Sequence, residues 1–230
     1  FNRFKEVQFR QSEDMAAFKK AKGELTKRLA ILNELLNKHM HTTIATGYNY
    51  EAWLKSHQPF HWLAEFYEII HDNGGFDVII GNPPYVKIST EGLAYRPSDT
   101  LSHSIDCGDL FGICLERFLY LCDNIGVIIP LSLTSTTKMS RMKDFVVKKS
   151  QYIWNAYYSA SAQPSTLFEG VRHRLMTSIV RCGKGEKMFY STNFLKWFVG
   201  ERINLFSTKI CYNINSSETG LCKISNNKEY

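Results

Sequence analysis

The chain has 230 residues, of which 44% are hydrophobic and 13% aromatic, so a sizeable core is available. Its net charge of +6 and pI near 8.9 are compatible with a nucleic-acid partner without requiring one. The six cysteines form no Cys-x-x-Cys pair, and the sequence has no apolar run of about 18 residues or more. We therefore expect reduced thiols, no metal site, no membrane partner and a cytoplasmic location.

The first 58 residues are predicted to be a helical lead-in. A helix is expected over residues 12–38, because leucines recur there at alternating spacings of four and three residues. These leucines are Leu25, Leu29, Leu32 and Leu36. Residues 39–50 are predicted to be a loop, and its histidines, which have no carboxylate or thiol nearby in sequence, are interpreted as surface residues.

A strand-like run over residues 76–81 ends in the turn Asn82-Pro83-Pro84-Tyr85. The prolines fix φ at two successive positions, and each favours an extended conformation in the residue before it. The side-chain oxygen of Asn82 and the backbone carbonyl of Pro83 are both hydrogen-bond acceptors, which suits an exocyclic amine with two N–H donors. The ring of Tyr85 can stack on a base, which is worth roughly 1–3 kcal/mol. The turn is therefore predicted to hold a flat, hydrogen-bonding ligand at the carboxyl end of a strand, where open α/β sheets bind ligands.

The residues after this turn predict a loop, a helix and a strand. Residues 86–108 are polar and form a predicted long loop. Loops of this length in compact domains are usually functional or disordered, so we expect a lid over the bound ligand. A helix is predicted to begin at Asp109, and the apolar residues 127–131 predict a buried strand.

Three further elements are predicted in the next part of the chain. They are a helix over residues 140–149 and strands over residues 152–158 and 175–182. Phe168 lies between the two strands, where it fits either a ligand-facing ring or a phenylalanine that fills the core. The basic cluster at residues 172–174 fits either contacts to phosphates or a solvated surface.

The strand followed by Asn82-Pro83-Pro84-Tyr85 resembles the signature of S-adenosylmethionine-dependent amino-methyltransferases. This resemblance implies that the motif follows the fourth strand of a seven-stranded sheet. It also implies that Asn82 and the Pro83 carbonyl bind the target amine and that Tyr85 stacks on the target base. Pro84 and Phe168 are assigned to substrate binding, with Phe168 on the opposite face of the base.

Adenine-N6 DNA methyltransferases, RNA methyltransferases and glutamine-N5 methyltransferases that act on release factors share this motif. The lead-in Pro59-Phe60-His61-Trp62, together with residues 74–77, resembles type IIG restriction–modification enzymes more than the other classes. The resemblance thus implies a site-specific adenine-N6 methyltransferase of a restriction–modification or phage-defence system, with double-stranded DNA carrying a flipped adenine as its partner. An RNA or glutamine-N5 methyltransferase, and a non-catalytic remnant that binds DNA or a protein, remain the alternatives.

The methyl-donor side of such an enzyme is missing from the pattern. A nucleotide site of this kind needs a glycine-rich turn after a first strand, and no Gly-x-Gly motif has that context here. We therefore expect an α/β fold that is a partial Rossmann-like methyltransferase domain with the fourth to seventh strands. The S-adenosylmethionine site would be completed by a missing N-terminal half or another subunit. The predicted divisions are a lead-in at 1–58, the catalytic half-domain at 59–184 and a truncated connection toward a target-recognition domain at 185–230.

Overall fold

The computed structural model describes most of the chain, in two compact units. The described residues are 4–6, 15–44, 47, 49–88, 101–159, 167–168, 171, 173–215 and 221. The units are Phe1–Gly75 and Phe76–Tyr230. The functional boundaries at residues 58 and 184 remain predictions, and residues 89–100 of the predicted lid lie outside the described part.

The first unit is helical. It contains α1 (Met15–Ile44), α2 (Tyr50–His57), α3 (Trp62–Glu65) and a π-helical turn at Glu68–Asp72. The predicted helix over 12–38 is present from Met15, the first described residue of that range, and continues to Ile44. The prediction of a loop from residue 39 was therefore wrong.

Packing explains this longer helix. The ring of His41, in the last turn of α1, lies 5.3 Å from the ring of Tyr50 and 5.5 Å from that of Trp53. Trp53 is buried. Aromatic contacts to α2 therefore stabilise helical geometry in a segment whose composition is typical of a loop, because tertiary packing commonly overrides local propensity.

The second unit is a mixed α/β unit built on a six-stranded sheet. In chain order its regular elements are β1 (Ile79–Gly81), α4 (Leu110–Leu121), β2 (Asn124–Pro130), α5 (Ser132–Ser135), a 3₁₀ turn (Thr137–Met139), α6 (Ser140–Lys149), β3 (Ser150–Tyr158), β4 (Leu175–Cys182), β5 (Met188–Leu195), a 3₁₀ turn (Val199–Asn204), a π-helical turn (Leu205–Lys209) and β6 (Asn213–Ile214). The predicted helix at 140–149 and strand at 175–182 are confirmed with the same bounds.

The strand order is β1-β2-β4-β3-β5-β6. β1 and β2 are parallel, whereas β4 is antiparallel to both β2 and β3 and lies between them. The carboxyl ends of β1, β2 and β3 therefore meet the amino end of β4 at one edge of the sheet. This arrangement confirms the predicted partial Rossmann-like α/β fold.

One face of this sheet is buried. Ile129, Ile153 and Val180 are at most 1% exposed. They form one hydrophobic cluster with Leu115 of α4 and Met142 of α6. Since strand side chains alternate between the two faces, these apolar side chains on neighbouring strands define the covered face of the sheet.

The opposite face carries an apolar row across the sheet, called here the open row. Residue pairing places Ile80, Gly126, Ile179, Trp154 and Tyr190 next to one another on successive strands. The side chain of Ile80 is 84% exposed and that of Ile179 is 50% exposed. The rings of Trp154 and Tyr190 stack with 5.5 Å between their centroids. Part of this face is therefore apolar and exposed in the described residues.

Neither a membrane-spanning helix nor a metal-binding cluster is found among the described residues. None of their helices is long and apolar enough to cross a membrane. Their His, Cys, Asp and Glu side chains form no group of three or more suited to hold a metal ion. The cysteines of this part of the chain are free thiols.

Candidate active site

The Asn82-Pro83-Pro84-Tyr85 turn lies directly after β1, at the carboxyl edge of the sheet. Pro83 is buried, whereas Asn82 and Pro84 are exposed and Tyr85 is half-buried. The buried proline anchors the turn, and its fixed φ makes the backbone there rigid.

Tyr85 joins the turn to the neighbouring strand. Its hydroxyl is within hydrogen-bond distance of the Asn82 side-chain oxygen and lies 3.0 Å from the carbonyl oxygen of Ile128 in β2. Burial raises the pKa of Tyr85 to about 12, so the phenol is protonated at neutral pH. A phenol has one proton to donate, so it serves one of these two acceptors at a time. The contact with Tyr85 orients the Asn82 amide.

A short two-stranded ribbon continues from the turn. Lys87 pairs with Asp109 in an antiparallel bridge. The N–H of Ile88 donates to the carbonyl of Gly108 at 2.8 Å, and the N–H of Leu110 donates to the carbonyl of Val86 at 2.9 Å. These bonds fasten the residues just after Tyr85 to the start of α4. They bring together side chains that are more than twenty positions apart.

A pocket of about 450 Å³ opens beside Tyr85. It lies between the ribbon, the carboxyl end of β2 and the residues that precede β4. Its lining residues are Tyr85, Lys87, Asp109, Phe111, Pro130, Leu131, Ser132, Thr134, Ser135, His173 and Arg174. The pocket thus combines apolar walls with a small set of charged and hydroxyl groups, as is typical of small-ligand sites.

The charged groups of this pocket belong to two segments that converge on Tyr85. Lys87 and Asp109 come from the ribbon, and His173 and Arg174 precede β4. The His173 ring meets the Tyr85 ring edge-on, with 6.0 Å between centroids and 72° between planes. Burial raises the pKa of Asp109, and the nearby charges of Lys87, Lys138 and His173 partly oppose this. The carboxyl group therefore lies in a partly desolvated, cationic environment.

The structure brings several of the predicted site residues together. Asn82 and Tyr85 are in direct contact. Phe168 is half-buried and packs on a hydrophobic cluster that includes Tyr158, Leu175 and Trp197, against which Tyr85 also packs. Among the described residues the pocket wall includes Tyr85 but neither Asn82 nor Phe168. The predicted sandwich of a base between Tyr85 and Phe168 stays a prediction.

The sequence reasoning did not identify Lys87 and Asp109 as site residues. Asp109 was visible as the first residue of a predicted helix, but only the ribbon shows that its side chain faces the pocket. His173 and Arg174 were flagged as a basic cluster that could contact phosphates, and both line the pocket. The third residue of that cluster, Arg172, lies outside the described residues.

A glycine-rich turn that could hold a nucleotide cofactor is not found at this edge in the described part of the chain. The glycine that ends β1 is followed at once by Asn82, so this turn supplies acceptors rather than a cradle of backbone N–H groups. We assign no cofactor contact to the described residues.

Known proteins resemble this chain in sequence and in fold. The chain is 29% identical over 121 residues to the type II methyltransferase M.CvrRI of Paramecium bursaria Chlorella virus XZ-6E, an alignment that covers 49% of this chain and 30% of that relative. It thus spans less than a third of that protein's length.

Two solved structures share the fold at low sequence identity. One is a cryoEM structure of a DrdV–DNA complex (TM-score 0.51, 13% identity). The other is a nuclease-deletion mutant of the type ISP restriction-modification enzyme LlaGI in complex with a DNA substrate mimic (TM-score 0.51, 14% identity). Each match covers 63% of this chain and 18% of the other.

The model of the Eco57I restriction-modification methylase family matches residues 9–163, more than half of the chain. The match contains the Asn82–Tyr85 turn, the ribbon and the elements up to β3. The chain therefore belongs to the Eco57I restriction-modification methylase family.

Proposed function

We propose that the protein to which this chain belongs transfers a methyl group from S-adenosylmethionine to the N6 amine of an adenine flipped out of double-stranded DNA. It would do so within a restriction–modification or phage-defence system in the cytoplasm. The observation that carries the proposal is the position of Asn82, an exposed residue between β1 and a buried proline, whose side-chain oxygen contacts the pocket residue Tyr85. Family membership supports methyl transfer as the reaction class.

The turn would act on the amine by accepting hydrogen bonds. The Asn82 side-chain oxygen and the Pro83 carbonyl take the two N–H donors of the amine, which localises the nitrogen lone pair and makes the nitrogen a better nucleophile. For this the hydroxyl of Tyr85 gives up Asn82 and keeps its second acceptor, the carbonyl of Ile128. Tyr85 thereby stays in place while Asn82 becomes free to bind the target.

Stacking and positioning would supply the rest of the catalysis. The Tyr85 ring offers one face to the base, and Phe168 and Pro84 are the further candidates for contact with it. S-adenosylmethionine, when bound, supplies a methyl group made electrophilic by its sulfonium sulfur. No covalent enzyme intermediate is needed, so the contribution of these residues is orientation and electrostatic stabilisation.

The cations of the pocket support DNA as the partner. Lys87 and Arg174 are exposed and line the pocket with His173. Phosphate contacts from such side chains fix the position of a nucleic acid without reading its sequence. Two structures of similar fold are themselves complexes with DNA or a DNA mimic, which favours the same partner for this chain.

The methyl-donor site would be completed by a further polypeptide segment or another subunit. β1 is an edge strand of the described sheet, and Ile80 on it is 84% exposed. An edge strand with an exposed apolar side chain is a ready surface for another strand. Calorimetry of the isolated chain with S-adenosylmethionine should show no measurable binding, and micromolar affinity would refute this part of the proposal.

The substrate class is tested by side-by-side methylation. The full-length protein is supplied with labelled S-adenosylmethionine and with double-stranded DNA, tRNA or release factor, and the products are digested and identified. We expect N6-methyladenine in DNA. Label in tRNA or on a glutamine of the release factor would support the alternative, an RNA or glutamine-N5 methyltransferase with the same amine-binding turn. Absence of label with every substrate would favour a non-catalytic remnant.

A further inference from the structure

Residues 101–108 form a segment that leads into α4, called here the pre-helix segment. Glu116, in the middle of α4, is 0% exposed. One of its carboxylate oxygens accepts a hydrogen bond from the N–H of Ser104 at 2.7 Å, and the other accepts one from the N–H of His103 at 3.2 Å. A buried carboxylate is costly unless it is hydrogen-bonded, and here both oxygens bind the backbone of this segment.

Side-chain contacts hold the same segment from other directions. The His103 ring stacks on the ring of Phe145 at 4.0 Å with 9° between planes. Asp106 accepts a hydrogen bond from Arg141 of α6 at 2.8 Å. The pre-helix segment is therefore fastened to α6 as well as to α4, and Glu116 is its one fully buried charged anchor among the described residues.

Close packing adds to this anchor. Cys107 is 2% exposed and lies against Gly112 of α4. A methyl group at Gly112 would come within 3.0 Å of the Cβ and 3.1 Å of the Sγ of Cys107. Such distances are tighter than ordinary van der Waals contacts, so a side chain at Gly112 would require Cys107 to shift. The segment thus rests directly on the helix backbone next to Glu116.

The segment ends at the candidate active site. Gly108 has φ +67°, a left-handed conformation that side chains rarely adopt. The chain then enters the ribbon, where Lys87 pairs with Asp109. Asp109 and Tyr85 both line the pocket. A continuous path of contacts therefore runs from Glu116 through the pre-helix segment to one wall of the pocket.

We propose that Glu116 is a positioning residue for the target nucleotide, an inference that rests on the proposed DNA methylation. By binding the N–H groups of His103 and Ser104, it sets where the ribbon places Lys87 and Asp109 against Tyr85. Glu116 lies too deep to touch the substrate. Its loss should therefore weaken the fit of DNA to the pocket rather than remove a reacting group.

The test compares Glu116→Ala and Glu116→Gln with the same changes at Glu186, which is exposed in the turn before β5. Glutamine keeps one side-chain oxygen acceptor, so its effect should be the smaller one. The first readout is alkylation of Cys107 in the natively folded chain, followed by peptide mass spectrometry. We expect Glu116→Ala to speed this labelling by about tenfold or more. Without the Glu116 carboxylate, the pre-helix segment should open locally and expose Cys107 to the reagent. The Glu186 variants should match the wild type.

The second readout is methylation kinetics in the full-length protein. The Glu116 variants should raise KM for DNA by about tenfold with little change in kcat, the pattern expected of lost binding. A merely structural role would lower the melting temperature and the active fraction and leave KM unchanged. If Glu116→Ala does not fold, Glu116→Gln carries both readouts.

An unchanged KM for DNA in folded Glu116 variants would overturn the inference, whether or not the labelling of Cys107 becomes faster. The proposed function fails differently. If the wild type methylates no adenine in DNA, that function is refuted, while the labelling of Cys107 still shows whether Glu116 anchors the segment.

Discussion

The covered face of the sheet and its carboxyl edge are built from different kinds of contact. On the covered face, Ile129 and Ile153 are 0% exposed within one hydrophobic cluster. At the edge, Asn82, Lys87 and Arg174 are exposed and polar. Burial stabilises the first region, whereas the second keeps polar groups available for a ligand. Changes to the covered face should therefore cost stability, and changes at the edge should cost activity.

The open row differs from both regions. Like the covered face it is apolar, yet Ile80 and Ile179 on it remain exposed. An exposed apolar surface on a folded protein often marks an interaction site. The two faces offer matched positions for substitution within one sheet, because Ile129 and Ile179 are the same residue type on opposite faces.

The largest expected change in stability is at the covered face. Ile129→Ala removes a fully buried side chain and should lower the free energy of unfolding by about 2–5 kcal/mol. Ile179→Ala is the matched control, since half of that side chain is already exposed. Denaturant unfolding of both variants measures the difference. Equal losses at the two positions would contradict the assignment of the faces.

A smaller effect on stability is expected from the Tyr85 hydroxyl, which links the turn to β2. Tyr85→Phe removes the hydroxyl that reaches Asn82 and Ile128 and keeps the ring. The free energy of unfolding should fall by about 1 kcal/mol, and methylation should fall less than in an Asn82 variant. Tyr120→Phe, at an exposed position, controls for loss of a phenol. Thermal unfolding and methylation rates test the pair, and a loss of stability as large as that of Ile129→Ala would place Tyr85 in the core.

The smallest effect concerns pH. Burial raises the pKa of Asp109 above 3.8 in the folded protein, so folding favours the protonated carboxyl. This contribution to stability is full below the unfolded pKa and is lost as the pH rises through the folded pKa. Asp109→Asn should remove that loss. The free energy of unfolding, measured between the unfolded and folded pKa of Asp109, should therefore fall less with rising pH in the variant than in the wild type. The same pH dependence in both proteins would contradict the assignment.

Local patterns predicted β2, β3, β4 and α6 of the second unit, and part of the strand predicted over residues 76–81 is β1. They missed β5 and β6, which lie in the stretch predicted to be a connection toward another domain. The alternation and the apolar runs that define β4 and α6 lie within short windows of sequence, so their bounds could be predicted. The Asn82–Tyr85 turn was equally visible, because its chemistry depends on four consecutive residues. The end of α1 was not, since it depends on contacts of His41 with α2.

The rest of the site depends on long-range pairing. Lys87 faces Asp109 only because the ribbon closes a loop of about twenty residues, and no periodic pattern encodes that bridge. Glu116 is followed by Arg117 in a helix that is otherwise mostly apolar. The sequence alone does not show which backbone groups its carboxylate binds. Such residues become visible only with the tertiary structure.

The central claim is that the Asn82 side chain binds the target amine. The direct measurement is the rate of adenine methylation by the full-length protein carrying Asn82→Ala, at saturating DNA and S-adenosylmethionine. Asn193→Ala, at an exposed position of β5, is the matched control. We expect a loss of about a hundredfold or more in kcat for Asn82→Ala, with an unchanged melting temperature because Asn82 is exposed. Undiminished methylation in the Asn82→Ala variant would contradict the account.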